Sequence, residues 1–221
     1  MPLELWHRLT GWRSTGGKPV DIGPLRMPDT GPCKAAQALC DSASPPFMLA
    51  HCARTYWFAR LLGLREGLDF DDEVLFVAGM LHDIALMDGR TQRGPGICCF
   101  TIPSAADARQ IGADSGWDAR RQDLVAEAIT LNPNPSVSLH LGVEAHLLNA
   151  GVLVDATGFR RWELTADTVD ELLRRHPRQQ LKRDIGRFVD READAWPGCR
   201  FHLARRWMGF LTMVRRSAWS E

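Results

Sequence analysis

The sequence predicts an all-α protein, and three observations predict it. Apolar residues recur at helical spacing over most of the chain. Those stretches open on capping residues and close at glycines. No segment alternates apolar and polar residues long enough to be a strand, and no strand-turn-strand pattern occurs. With 221 residues the chain can bury a full core, and it shows no internal repeat or low-complexity tract. The expected organisation is an N-terminal arm over residues 1–31, packed on a single helical bundle over residues 32–221.

The arm is rich in Gly, Pro and turn-formers. In "DTGPCKAAQALCDSAS" Asp29 or Thr30 caps a short helix. "SPPFMLAHCARTYWFARLLGLREG" is a longer one: Ser44 can cap it, Pro45 and Pro46 suit its first turn, and Gly63 and Gly67 lie at its end. Acids open the helix expected in "DFDDEVLFVAGMLHDIALMDG", which should run on to Gly89. The glycine-bearing stretch "GRTQRGPGICCFTIPS" is expected to be a functional or mobile loop. Helices then fit "AADARQIGADSG", "DARRQDLVAEAITLN", "GVEAHLLNAGVLVDATG" and "TADTVDELLRRHP", with one or two more after Gln179.

Composition narrows the function. The 27 basic residues balance the 27 acidic ones, so the chain lacks the basic footprint of a nucleic-acid binder. No apolar run reaches the roughly 18 residues that span a bilayer. The N-terminus has no signal-peptide core or cleavage site, so a cytoplasmic location is expected. The six cysteines form no zinc-finger spacing and are expected to be reduced packing residues, the vicinal Cys98–Cys99 pair being the one weak hint of reactivity.

Polar residues interrupt three helices that otherwise look buried: His51, the His82–Asp83 pair, and Asp155. Each has an ordinary reading, as a satisfied core histidine, a helix-end ion pair, or a helix cap. Brought together, two imidazoles and two carboxylates would make a four-ligand site for a divalent cation.

The ordered set His51, His82–Asp83, Asp155 resembles the H…HD…D signature of the HD-domain superfamily, metal-dependent all-α phosphohydrolases and their relatives. Beyond these residues, "SPPFMLAHCARTYWFARLLG", "LFVAGMLHDIAL", "DLVAEAITLN" and "GVEAHLLNAGVLVDATG" resemble, in order, helices of its cyanamide-hydratase-like branch. The resemblance implies one divalent metal held by His51, His82, Asp83 and Asp155, zinc in this branch, with iron or manganese common elsewhere. It also implies a metal-activated water attacking a small molecule at carbon, as in a nitrile, or at phosphorus, with Asp83 orienting the water. A phosphate-ester hydrolase and a non-catalytic ligand-binding domain are the alternatives. A homodimer is the default assembly.

The chain departs from the branch at two places. "AITLN" puts Asn132 where the branch has a histidine, which argues against a two-metal site and leaves Asn132 to hydrogen-bond substrate. "CFTIPS" puts Thr101 and Pro103 where the branch has acids, which argues against cyanamide itself. Further candidates around the site are Glu144, which shares a helix face with Asp155, His140 just before that helix, Arg54 as a cation for phosphate, and Trp57 as pocket wall.

Overall fold

The computed structural model describes Val20, Ile22 and residues 26–221, which form ten α-helices and three 3-10 turns and no strand. The expected arm over residues 1–31 lies largely outside the described residues, although Ile22 is buried in the core.

Helix α1 (Gly31–Ala43) follows an extended Thr30 and carries Pro32 in its first turn, where no N–H partner is needed. It buries Cys33, Ala36 and Cys40 as one stripe. Helix α2 (Pro46–Glu66) starts from Pro45, not from the expected Ser44 cap, and ends at Gly67 in the left-handed conformation. It is buried on nearly all sides and forms the axis of the bundle.

Two glycines set how neighbouring helices cross α2. Gly151 of α6 (Val143–Thr157) lies so close that a Cβ there would sit 2.3 Å from the Thr55 carbonyl. Gly79 of α3 (Asp72–Leu81) meets α2 at Tyr56, where a Cβ would sit 2.9 Å from the tyrosine Cβ. A step of four residues from the first crossing leads to His51 on α2 and Asp155 on α6. The same step from the second leads to Cys52 and Asp83. Four residues are about one helical turn, so both antiparallel crossings deliver polar residues to the same end of α2.

The α3 helix stops earlier than its sequence suggests. Asp71 caps it by accepting from Val74 N at 3.1 Å, but the helix ends at Leu81, and only a 3-10 turn over Ile84–Leu86 follows before Gly89. Asp83 sits at φ −111°, ψ 7°, and Ala85 N donates to Ser104 Oγ at 3.1 Å instead of continuing the ladder. A side chain two elements away ends the helix at the His82–Asp83 pair.

The "TIPS" segment belongs to α4 (Thr101–Asp114), not to the loop before it. Pro103 fits the first turn because its missing N–H would have no partner there. Helix α5 (Ala119–Leu131) is capped by Asp118, which accepts from Arg121 N at 2.8 Å. Thr165 caps α7 (Ala166–Arg175). Three helices follow, one more than expected: α8 (Leu181–Ala195), α9 (Arg200–Trp207) and α10 (Phe210–Arg215). Gly209, at φ 64°, makes the turn between the last two. Among the described residues no helix is long and apolar enough to cross a membrane.

The segment between α3 and α4 is fastened to α8. Arg93 donates through both terminal guanidinium nitrogens to Glu192, at 2.7 Å for the Oε1 contact, and lies over the Trp196 ring. Phe100 N also donates to Glu192 Oε1, at 3.1 Å. Both charged side chains are almost fully buried. Arg93→Ala would strand a buried carboxylate, so we expect a loss of about 3–5 kcal/mol in urea unfolding. Limited proteolysis should then cut between residues 87 and 100 well before it cuts the helices.

Candidate metal centre and adjoining cavity

His51, His82 and Asp83 each present a ligand atom, and the three atoms lie within 4.8 Å of one another. All three residues are buried. His82 Nδ1 is 2.9 Å from the Gly79 carbonyl, which can only accept, so Nδ1 carries the proton and Nε2 presents its lone pair. That Nε2 is buried, has no hydrogen-bond partner among the described residues, and faces Asp83 Oδ2 at 3.3 Å. His51 donates from Nδ1 to Asp155 Oδ2 at 2.6 Å, which leaves its Nε2 directed at Asp83 Oδ2, 3.8 Å away. Two imidazole lone pairs and one carboxylate oxygen converge, a donor set suited to a borderline divalent cation with an open position left over.

The electrostatics agree. Burial pushes His82 down, but the Asp83 carboxylate and the Gly79 carbonyl outweigh it and hold this histidine above its usual range. Burial pushes Asp83 up, and the two imidazoles overcome that and hold it low. At His51 burial wins and holds the ring below its usual range. A divalent cation at the cluster would put positive charge beside the Asp83 carboxylate.

The structure corrects the expected role of Asp155. Its carboxylate is outside the cluster, with both oxygens occupied. Oδ1 accepts from Arg54 Nε at 2.6 Å and from the Arg178 guanidinium at 3.0 Å. Oδ2 accepts from His51 Nδ1 at 2.6 Å and from the Arg54 guanidinium at 3.0 Å. Burial would raise this carboxyl, but Arg54, His51 and Arg178 together hold it far below the usual range. Asp155 thus fixes the His51 ring and its tautomer from behind, the arrangement common around metal-bound histidines.

Arg54 is also corrected. It is fully buried, and its remaining donors reach the carbonyls of His176 at 2.9 Å and Pro177 at 3.0 Å. It therefore offers no charge to a phosphate.

Four other candidates fall away from the centre. Glu144 accepts from Asp71 N at 2.9 Å and so fastens the start of α3, the end remote from His82. His140 is exposed and pairs with Ser138 Oγ at 2.8 Å. Thr101 is buried and its hydroxyl donates to Cys99 Sγ at 3.3 Å. Trp57 is buried beside Tyr56, with Arg60 over its ring, and lines no part of the cavity described next. Cys98 is exposed and Cys99 buried, and neither lines that cavity.

A cavity of about 70 Å3 opens against the cluster, with His51, Asp83, Asn132 and Asn149 as its polar floor. Its walls are apolar: Val152 and Leu153 from α6, Leu181 and Ile185 from α8, Phe201 and Phe210 from the last two helices. Among the described residues no Lys or Arg lines it. Asn132, at the end of α5, lines the cavity. Sequence reasoning missed Asn149 and Arg178. Asn149 carried a signal: it shares a helix face with Val152, Leu153 and Ala156 and is the polar member of that face. Arg178 carried none, because it comes from the turn before α8 and meets Asp155 only through tertiary packing.

Fold and site together define a helical protein with a buried His-His-Asp cluster, two of whose residues, His51 and Asp83, line an adjoining cavity. A family model for the HD domain matches residues 48–185, more than half of the chain. The chain belongs to the HD domain family, whose members bind divalent metals and are in general metal-dependent phosphohydrolases. No match is found among curated proteins.

Proposed function

We propose that the chain is a metal-dependent hydrolase or hydratase of the cyanamide-hydratase-like kind, adding water to a small nitrile-like carbon electrophile. The observation that carries this reading is the cavity: it reaches the cluster at His51 and Asp83, has apolar walls, and carries no cationic side chain among the described residues. A phosphate ester would bring two negative charges to a wall with nothing but the metal to meet them.

On this reading His51 and His82 would hold the cation through Nε2 and Asp83 through its carboxylate, a nitrogen and oxygen set that suits zinc. When bound, it supplies Lewis acidity and lowers the pKa of water toward neutrality. Asp83, on the cavity floor, orients the attacking water. Asp155 keeps the proton on His51 Nδ1, so that Nε2 stays a donor. The Asn132 amide hydrogen-bonds the substrate beside the metal, and the apolar walls exclude bulk water from the reacting carbon. The volume of about 70 Å3 favours a substrate of few heavy atoms.

The test is a turnover screen of the metal-loaded protein that pairs cyanamide and short aliphatic nitriles with nucleoside monophosphates and a generic phosphate diester. Amide formation from the nitriles is the expected result. Phosphate release, with no turnover of the carbon electrophiles, would replace this reading with the phosphohydrolase one. Two metals per chain would overturn the mononuclear centre.

A further inference from the structure

Residues 195–220 carry five arginines, Arg200, Arg205, Arg206, Arg215 and Arg216, and neither Asp nor Glu. In a chain with 27 basic and 27 acidic residues, this leaves the remainder with a net charge of −5. The segment folds as α9 and α10. Arg200 donates to the Thr130 carbonyl, and Arg205 pairs with Asp194 at 2.7 Å and Asp190 at 3.3 Å, both on α8. Arg206, Arg215 and Arg216 are exposed and have no ion pair among the described residues.

Exposed apolar side chains stand with these free arginines. Leu203 and Trp207, one turn apart on α9, are 51% and 74% exposed, and Met208 next to them is 37% exposed. Arg206 lies over the Trp207 ring, 5.4 Å from its centroid. Helix α9 runs antiparallel to α8, since His202 meets the Ala193 carbonyl and Arg205 meets Asp190. One further turn brings the end of α9 level with Gly186. There the Arg215 guanidinium lies 4.0 Å from where a Cβ on Gly186 would sit. Arg215 and Arg216 therefore stand beside the end of α9 that carries Trp207.

We propose that this face of α9 and α10 docks on an anionic lipid surface. Trp207, Leu203 and Met208 enter the interfacial layer, and Arg206, Arg215 and Arg216 meet the lipid headgroups. Basic helices that bear aromatic and aliphatic side chains lie in the plane of such an interface, and Trp favours that depth. The charge selects an anionic partner, and the aliphatic side chains select lipid among anions. A nucleic-acid backbone would meet the arginines but leave Leu203 and Met208 in water. Met208 also lines the cavity, so docking sets one wall of the cavity toward the lipid. The inference needs no metal and stands apart from the proposed reaction.

Co-sedimentation of the full chain with phosphatidylcholine vesicles, with and without about one third phosphatidylserine, tests it. The chain should pellet with the anionic vesicles and not with the zwitterionic ones. Raising the salt from about 0.1 M to about 0.5 M should weaken that binding by at least about tenfold. Combining Arg215→Gln with Arg216→Gln should weaken it by a similar factor, since each basic residue is worth about fivefold at such a surface. Trp207→Ser should also weaken it. All three side chains are exposed, so circular dichroism of the variants should match the wild type. No binding to anionic vesicles, equal binding to both kinds, or an affinity unmoved by salt and by the substitutions would each overturn the proposal. Tighter binding to a single-stranded oligonucleotide or to polyglutamate than to the vesicles would overturn it too, and would give the face to a nucleic acid or an acidic protein.

Discussion

His82→Ala should strip the centre of its metal. The purified wild-type chain is expected to carry about one divalent transition metal, and the variant less than about a tenth of that by elemental analysis. The reason is geometric. His82 Nε2 is a buried lone pair that no protein group among the described residues satisfies, and the Gly79 carbonyl holds the ring so that this lone pair faces the cluster. Asp83→Asn should have nearly the same effect while preserving shape, because it takes away the negative charge that the two imidazoles face. Turnover of the best substrate should fall by at least about 100-fold in both variants, since their loss exceeds that expected from a residue one step behind the metal. Circular dichroism should show both still helical. Full metal occupancy in His82→Ala would mean that the ion is held elsewhere.

Asp155→Ala is the second large effect, and it is of a different kind. Removing this carboxylate leaves Arg54 buried without its counter-charge and Arg178 with only Glu221, 3.4 Å from its Nε. We expect a loss of about 3–5 kcal/mol in urea unfolding. Metal affinity should weaken by about 10–100-fold without being abolished, because His51 loses the acceptor that fixes its tautomer but keeps its Nε2. Asp155→Asn, which retains an oxygen acceptor, should fall between wild type and the alanine variant in both measurements. The opposite pattern, with metal lost and stability unchanged, would make Asp155 a direct ligand and refute the positioning role.

These two predictions divide along the line between what was legible in the sequence and what was not. His51, His82 and Asp83 stood out because each interrupts an apolar helical run, and a buried charge needs a partner. Their order in the chain also resembled a known signature, which the family match bears out at the level of the HD domain. The helices were legible for the same local reasons: proline in first turns, aspartate and threonine caps, and left-handed glycine at Gly67 and Gly158. The early end of α3 was not, since it depends on Ser104 capturing Ala85 N from another helix.

Arg54 shows the limit most plainly. Three residues after His51, it looked like a cation for a phosphate substrate, yet the fold turns it onto Asp155 and two backbone carbonyls. Glu144 shared a helix face with Asp155, as its spacing required, but lies near the opposite end of α6, where it holds Asp71. Spacing fixes direction around a helix axis; it does not say which neighbour is waiting there.

By itself the sequence determined the helices, the buried histidines and aspartate, and the family, because periodicity, caps and chemically costly residues are local properties of the chain. Only the tertiary structure decided which carboxylate joins the cluster and which stands behind it. The crossings at Gly79 and Gly151 set the separation of α2 from α3 and α6, and arginines from two different elements converge on Asp155. A carboxylate's role follows from the charges that reach it, and these come from residues 101 and 23 positions away in the chain.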